Sequence, residues 1–369
     1  MAQHFSQSKA YRDLTLWEIA KLTEDEARDL FIKSRWGDTT VMPCPYPDCG
    51  IVDKHYVRRT RNEWRCKHCA NTFSATSGTP FADMKISFKM LLMIIYEFIS
   101  APQGCAANRL HSRLGISLRT AQIIESKLRE VLWETRDLTP LSGLVHIDGG
   151  FFCGKPRRTN KRGKITSTIV NHKLRNRKAG IIPDTSVTHP DPRNIKKLRN
   201  RRVVLTLTEL HMPPNSGMGA KRTIVVVVKD EHASSVIPVI RKYVQENSEI
   251  WTDSGNGYNG LSQYYDHKTV NHSKEYMTVD GVNNNQAESY ISRLRRSEYG
   301  VYNGMREQYF EHYANEFAWR SDTRNMTLKM KFDDLLKKIF ECGLSKTWRG
   351  YSSPHKKRNS HHEDMIGEN

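Results

Sequence analysis

Four cysteines fall in two close pairs, Cys44 with Cys49 and Cys66 with Cys69, sixteen residues apart. Four thiolates in a tetrahedron are the donor set that zinc takes in a closed structural site, and two close pairs bring them together with little chain to order. Pro43, Pro45, Pro47 and Gly50 surround the first pair, as befits a tight knuckle. His68 lies inside the second pair and is expected to point away from the ion. The competing reading is four reduced cysteines in a small core. Cys105, Cys153 and Cys342 have no assigned role.

A second set is acidic. Leu144-Val145-His146-Ile147-Asp148 and Ile250-Trp251-Thr252-Asp253 are short apolar stretches that each end in a carboxylate, and Glu288 lies in a helical pattern beyond them. Hard oxygen ligands of this kind hold the two Mg²⁺ or Mn²⁺ ions, about 3.5–4 Å apart, that phosphoryl transfer on DNA uses. One ion activates the attacking water or 3′-hydroxyl, and the other stabilises the leaving oxygen. An aspartate at a strand end is more often a turn residue or a cap.

The elements that must position these groups can be read from periodicity. Residues 144–148, 203–210, 223–228 and 250–253 read as strands, the middle two as β-branched runs. Residues 232–245 read as a helix in which Pro238 marks a kink or a later start, and residues 285–296 as a further helix. Three hairpin-type strands, a helix, a strand and a helix predict a mixed α/β sheet. Earlier in the chain, helices are expected at 14–33, 86–99, 104–114 and 117–133. The last two form a helix-turn-helix with Ser117 as N-cap and Ala121, Ile124, Leu128 and Val131 as a buried stripe. That stripe leaves Arg119, Gln122, Lys127 and Arg129 for a DNA groove or backbone, although many helical pairs share the pattern.

Over 369 residues, 58 Lys+Arg stand against 40 Asp+Glu, a net charge of +18, which favours a polyanionic partner. Most of the excess lies in residues 155–202, where 16 Lys/Arg face only Asp184 and Asp191. Arg157, Arg158, Lys161, Arg162, Lys196 and Lys197 there suit contact with the DNA backbone; a solvated, flexible insertion is the alternative. The longest apolar run near the middle, Met90 to Tyr96, falls far short of the ~20 residues that span a bilayer. The start of the chain lacks the pattern of a secretory signal. A cytoplasmic protein working on nucleoid DNA in a prokaryote, with no membrane partner, is the expectation.

Further residues carry a family resemblance. Arg35-Trp36-Gly37-Asp38 precedes the first cysteine pair, and Phe73-Ser74 and Ser77-Gly78-Thr79-Pro80-Phe81 follow the second. Then come His146-Ile147-Asp148, Trp251-Thr252-Asp253, Val270-Asn271-His272-Ser273, Asn285-Gln286-Ala287-Glu288 and Glu316-Phe317-Ala318-Trp319-Arg320. In order and spacing, residues 14–340 resemble the insertion-sequence transposases of the ISXO type, which carry a zinc ribbon before a DDE, ribonuclease H-like domain. The resemblance implies that Asp148, Asp253 and Glu288 are the catalytic carboxylates and that Asn285 stands in the active site, with a helix N-cap as its alternative role. His272 is matched to a phosphate-positioning place, or else is a core histidine; Trp319 and Arg320 are expected to serve packing and a structural ion pair. The chain departs from the family at Gly149-Gly150, where an acidic residue usually follows the first aspartate, and in the length of its basic insertion.

The expected organisation is an N-terminal helical segment (1–40), a zinc ribbon (41–82), a helix-turn-helix region (83–138), a ribonuclease H-like α/β catalytic domain with a mixed sheet (139–325), a C-terminal helix (326–349) and a disordered tail (350–369). The expected function is a DNA transposase, at least dimeric, that binds an element's terminal repeats and joins the freed ends to target DNA with structural zinc and two Mg²⁺ or Mn²⁺. A DNA-binding regulator with a silent catalytic domain is the main alternative, and a nuclease that cuts without joining is the third.

Overall fold

The computed structural model describes residues 5–46, 49–53, 55–153, 201–213, 218–270, 277–278 and 281–350. The N-terminal helical stretch is two helices, α1 (Leu16–Lys21) and α2 (Glu24–Trp36), where one over 14–33 was expected. The break has a local cause. Thr15 with Glu18 and Thr23 with Glu26 each form a capping box, so the second box starts a new helix right after Leu22.

A three-stranded antiparallel ribbon follows: β1 (His55–Arg58), β2 (Glu63–Cys66) and β3 (Thr72–Ser74), in that order. Trp64 and Phe73 face each other across β2 and β3, and both rings meet Trp36 at the end of α2 edge-on. The Arg35 guanidinium donates to the Ala75 and Ser77 carbonyls at 2.5 and 2.7 Å, fixing the ribbon to α2.

Helices α3 (Phe88–Ser100), α4 (Ala107–Leu114) and α5 (Leu118–Glu134) come next. Ser117 caps α5 as expected, and Ala121, Ile124, Leu128 and Val131 are fully buried. Yet α5 is buried on more than one side. Helix α8 (Phe310–Asp322) packs along it, and α9 (Leu328–Glu341) joins Phe31, Phe98 and Leu128 in one core through Phe332, Leu335 and Ile339. The end of the described chain thus completes the hydrophobic core begun at its start.

Between these helices lies a five-stranded sheet: β4 (Leu144–Cys153), β5 (Arg201–Leu210), β6 (Ala220–Val228), β7 (Glu249–Asp253) and β8 (Asp266–Val270). Its order is β6-β5-β4-β7-β8; β4, β5 and β6 are antiparallel neighbours, while β7 and β8 continue from β4 in parallel. This is the mixed sheet of a ribonuclease H-like domain. Helix α6 (Ala233–Tyr243), which carries Pro238 inside it, covers the face bearing Val145, Ile147, Leu205 and Leu207. Helices α7 (Asn285–Gly300) and α8 cover the other, bearing Phe152, Val204 and Val225. Strand β8 falls in a stretch expected to be looped. Asp148, expected at a strand end, lies in the middle of the ten-residue β4.

Candidate active site and metal centre

In the ribbon, the Cys44 and Cys69 Sγ atoms lie 3.7 Å apart and those of Cys49 and Cys66 3.4 Å apart. All four ligand atoms lie within 4.8 Å of one another. Zn–S bonds of about 2.3 Å in a tetrahedron require sulfurs roughly 3.8 Å apart, so this donor set fits zinc. Burial would raise the Cys66 thiol, but N–H groups of Cys69 and His68 outweigh it and hold the thiol down to about 6. His68 is not among the four clustered donors. Its Nδ1 stands 3.6 Å from Cys49 Sγ, in reach of that sulfur from outside the tetrahedron.

The acidic residues are placed by the sheet. Parallel pairing of β4 with β7 aligns Ile147 with Thr252, so Asp148 and Asp253 follow at the same level on adjacent strands. Asp148 Oδ1 accepts from the Gly149 N–H at 2.8 Å, and Asp253 Oδ1 from the Gly255 N–H at 3.0 Å. Glu288 sits in the first turn of α7. Burial, then the charges of Asp253 and Glu231, with a smaller effect of Glu288, push the Asp148 carboxyl up to about 7. Among the described residues, the acidic groups are not gathered as closely as the four cysteines. Their donor chemistry still fits hard divalent cations: they are oxygen ligands, and all three residues are partly buried.

Two neighbours were not foreseen. Asn284, fully buried, donates from Nδ2 to the Ile147 carbonyl at 2.9 Å and so ties the start of α7 to β4 one residue before Asp148. Asn285, singled out from the sequence, is exposed at the first position of that helix; Asn284, not Asn285, is the N-cap residue. Glu231, in the link from β6 to α6, accepts from the Tyr258 hydroxyl at 3.0 Å and is itself raised by burial and by Asp253. His146, on the same face of β4 as Asp148, stacks on Trp251 with 5.1 Å between ring centres; burial lowers it to about 3, so it is neutral.

The expected DNA contacts divide. Arg119 and Gln122 are exposed on α5 and line a cavity of about 390 Å³ bounded by α4, α5 and residues 301–313. Lys127, expected on an open face, is buried: its Nζ donates to the Pro80 carbonyl at 2.6 Å and lies over the Phe81 ring. Arg129 is buried too, bonded to Glu316 at 2.8 Å and to Glu125 at 3.4 Å. Both are corrected from DNA-facing to structural, because Pro80 and Phe81 cover Lys127 and Glu316 of α8 pairs with Arg129. Arg320 pairs with the same Glu316, and Trp319 donates to Asp334, matching the structural roles expected of them. Arg157, Arg158, Lys161, Arg162, Lys196, Lys197 and His272 lie outside the described residues.

Comparison with known proteins agrees with this architecture. Residues 140–322 match the ISXO2-like transposase domain, and residues 22–72 match the transposase zinc-ribbon domain. A Haemophilus influenzae protein named as an uncharacterized transposase-like protein is 26% identical over 130 residues, 33% of this chain and 97% of that protein. No solved structure matches. No helix among the described residues is long and apolar enough to cross a membrane.

Proposed function

Because this chain belongs to the ISXO2-like insertion-sequence transposases, we propose that it cleaves DNA at the ends of an insertion sequence and joins the freed 3′-hydroxyls to target DNA. The observation that carries this reading is the level placement of Asp148 and Asp253 on adjacent parallel strands, with Glu288 opening the helix tied to β4 by Asn284. Asp148, Asp253 and Glu288 would hold two Mg²⁺ or Mn²⁺ ions, which supply activation of the attacking oxygen and charge stabilisation of the leaving one. The carboxylates fix the site on the rigid centre of the sheet, and Asn284 keeps α7 in register with β4. In each step the protein orients an oxygen nucleophile in line with the scissile phosphate. Water serves first and the 3′-hydroxyl second, with no covalent protein intermediate.

The ribbon, with structural zinc on Cys44, Cys49, Cys66 and Cys69, and the α4–α5 pair, through Arg119 and Gln122, are assigned to recognition of the terminal repeats. The basic segment 155–202 is assigned to the DNA backbone. Two ends must be joined together, so a homodimer or larger assembly is the working form, acting on DNA in the cytoplasm. Strand transfer in vitro tests the reading, using labelled terminal-sequence DNA and Mg²⁺. Asp148→Asn, Asp253→Asn and Glu288→Gln should each lower joining by at least about 10³-fold, the equivalent of several kcal/mol of transition-state stabilisation. Specific binding without chemistry in the wild type would favour a regulator, and cutting without joining a nuclease. Joining that survives all three substitutions would mean that the chemistry lies elsewhere.

A further inference from the structure

The cavity beside α5 is built from three distant parts of the chain. Gln122, Glu125 and Arg129 line it from one face of the helix, at spacings of three and four residues. Tyr302 and Tyr309 come from the link between α7 and α8, Tyr313 from α8, and Trp348 from near the end of the described residues. The volume of about 390 Å³ lies within the range of about 300–1,000 Å³ that small-molecule sites occupy. Trp348 is held in place by its neighbours: Glu130 accepts from the Ser345 hydroxyl and from the Lys346 and Thr347 N–H groups. The Trp348 ring meets that of Tyr309 with 5.0 Å between centres, and Tyr302 meets Tyr313 at 4.9 Å. The Arg129 guanidinium lies over both of the latter rings.

One group in this wall is short of a donor. Glu125 is buried, and its Oε2 accepts from Arg129 at 3.4 Å. Among the described residues, no N–H or O–H group reaches its Oε1. Burial pushes the carboxyl up to about 7 despite the charge of Arg129, and its other polar neighbour, the Cys105 thiol, is only a weak donor. A buried carboxylate oxygen of this kind calls for a hydrogen bond from a ligand. Gln122, exposed one turn earlier, adds an amide that both donates and accepts. Arg119 and Arg306 line the cavity too, and both are exposed. Aromatic faces to stack on, an amide and a carboxylate for a ring edge and guanidinium groups for a phosphate are together the chemistry that holds a nucleotide. A base within a duplex is stacked on both faces, so it reaches such a cavity only by leaving the stack.

We propose that this cavity receives one base of the bound DNA end, turned out of its stack, and that Glu125 selects a base bearing an exocyclic amine. The proposal rests on the assignment of α4–α5 to the terminal repeats made above. The test begins with dAMP, dCMP, dGMP and dTMP, each titrated into the full-length, zinc-loaded protein and followed by ligand-observed NMR. The three amino-bearing nucleotides should bind at least about fivefold more tightly than dTMP. Tyr309→Ala should weaken them at least about fivefold through lost stacking, and Gln122→Ala about threefold. In Glu125→Gln the side-chain oxygen stays with Arg129 and an NH₂ group takes the place of Oε1, so the preference over dTMP should vanish. Circular dichroism checks folding, and Gln122→Ala, at an exposed position, decides the matter if Tyr309→Ala is unfolded. The same variants are then bound to labelled terminal-sequence duplex, where Tyr309→Ala and Gln122→Ala should lose affinity in the same order. Unchanged duplex affinity in variants that lose the nucleotide would make this a site for free nucleotides and overturn the proposal. A wild type that binds no nucleotide, or variants that bind all four as the wild type does, would overturn it too. A wild type that binds nucleotides but not the terminal duplex would instead remove the terminal-repeat reading, and the DNA source of the base with it.

Discussion

The two candidate metal sites are built on opposite plans. In the ribbon, four ligands come from two short knuckles of one small sheet, and their sulfurs already lie within 4.8 Å of one another. In the transposase domain, the three candidate carboxylates come from β4, from the end of β7 and from the first turn of α7. Thiols are neutral when protonated and can be crowded at little cost. Carboxylates at neutral pH repel, and burial first, then the charges of its acidic neighbours, make one of them, Asp148, take up a proton more readily than usual. A site whose role is to hold shape can be assembled in advance; a site made of like charges would be completed by its cations.

The sharpest way to break this contrast is to remove the zinc ligands. Structural zinc contributes roughly 10–16 kcal/mol of apparent binding energy in zinc-finger peptides, so Cys66→Ser should lose the ion and unfold the ribbon. Zinc content by atomic absorption and proteolysis within residues 41–82 would report it, while Asp148→Asn should keep its full zinc. A Cys66→Ser protein with wild-type zinc and stability would refute the structural reading.

A third charged cluster sharpens the comparison, since it joins unlike charges and needs no ion. Glu316, fully buried, accepts from Arg129 at 2.8 Å and pairs with Arg320 at the same distance, bolting α8 to α5. Arg129→Met leaves Glu316 and Glu125 short of a partner, and breaking such a pair should destabilise the protein by about 3–5 kcal/mol. A urea midpoint unchanged in this variant would show that the cluster carries no stability.

The smallest effect concerns the proton on Asp148. Its folded acid constant is raised from 3.8 to about 7, so the folded state holds the proton more tightly than the unfolded chain does. Stability from this group is therefore greatest below pH 3.8 and falls as the pH rises towards 7. In zinc-replete, Mg²⁺-free buffer, Asp148→Asn should be the more stable protein at pH 8, by about 1–3 kcal/mol, with the gap narrowing towards pH 5. Thermal unfolding across that range checks it, and a difference independent of pH would show that Asp148 is not the group responsible.

What was legible in the sequence follows the same division. The cysteine pairs announce their geometry because knuckle and ligand lie on the same few residues. The strands carrying Asp148 and Asp253 were legible from their β-branched and apolar runs, and Glu288 from its place at a helix start. The contact of Glu231 with β4 was not legible: Asp230-Glu231 after a strand reads as an ordinary acidic helix entrance. Gly149 was visible only as a missing acidic residue; that Glu231 rests against it is a fact of the fold. Lys127 and Arg129 misled for a related reason. Periodicity within α5 places them opposite the Leu128 stripe, but what covers them is far off in sequence: Pro80, 47 residues before Lys127, and Glu316, 187 residues after Arg129. Asn284 went unremarked because the sequence does not say which of consecutive asparagines turns inward.

The register of β4 with β5 has a consequence for the basic segment between them. Cys153 and Arg201 are direct partners in the ladder, so the chain leaves the sheet and returns to it at touching positions. Closing a loop there costs free energy only as the logarithm of its length. The sheet therefore places almost no limit on how long that segment is. Its length and charge can therefore vary while Asp148, five residues back along β4, keeps its place.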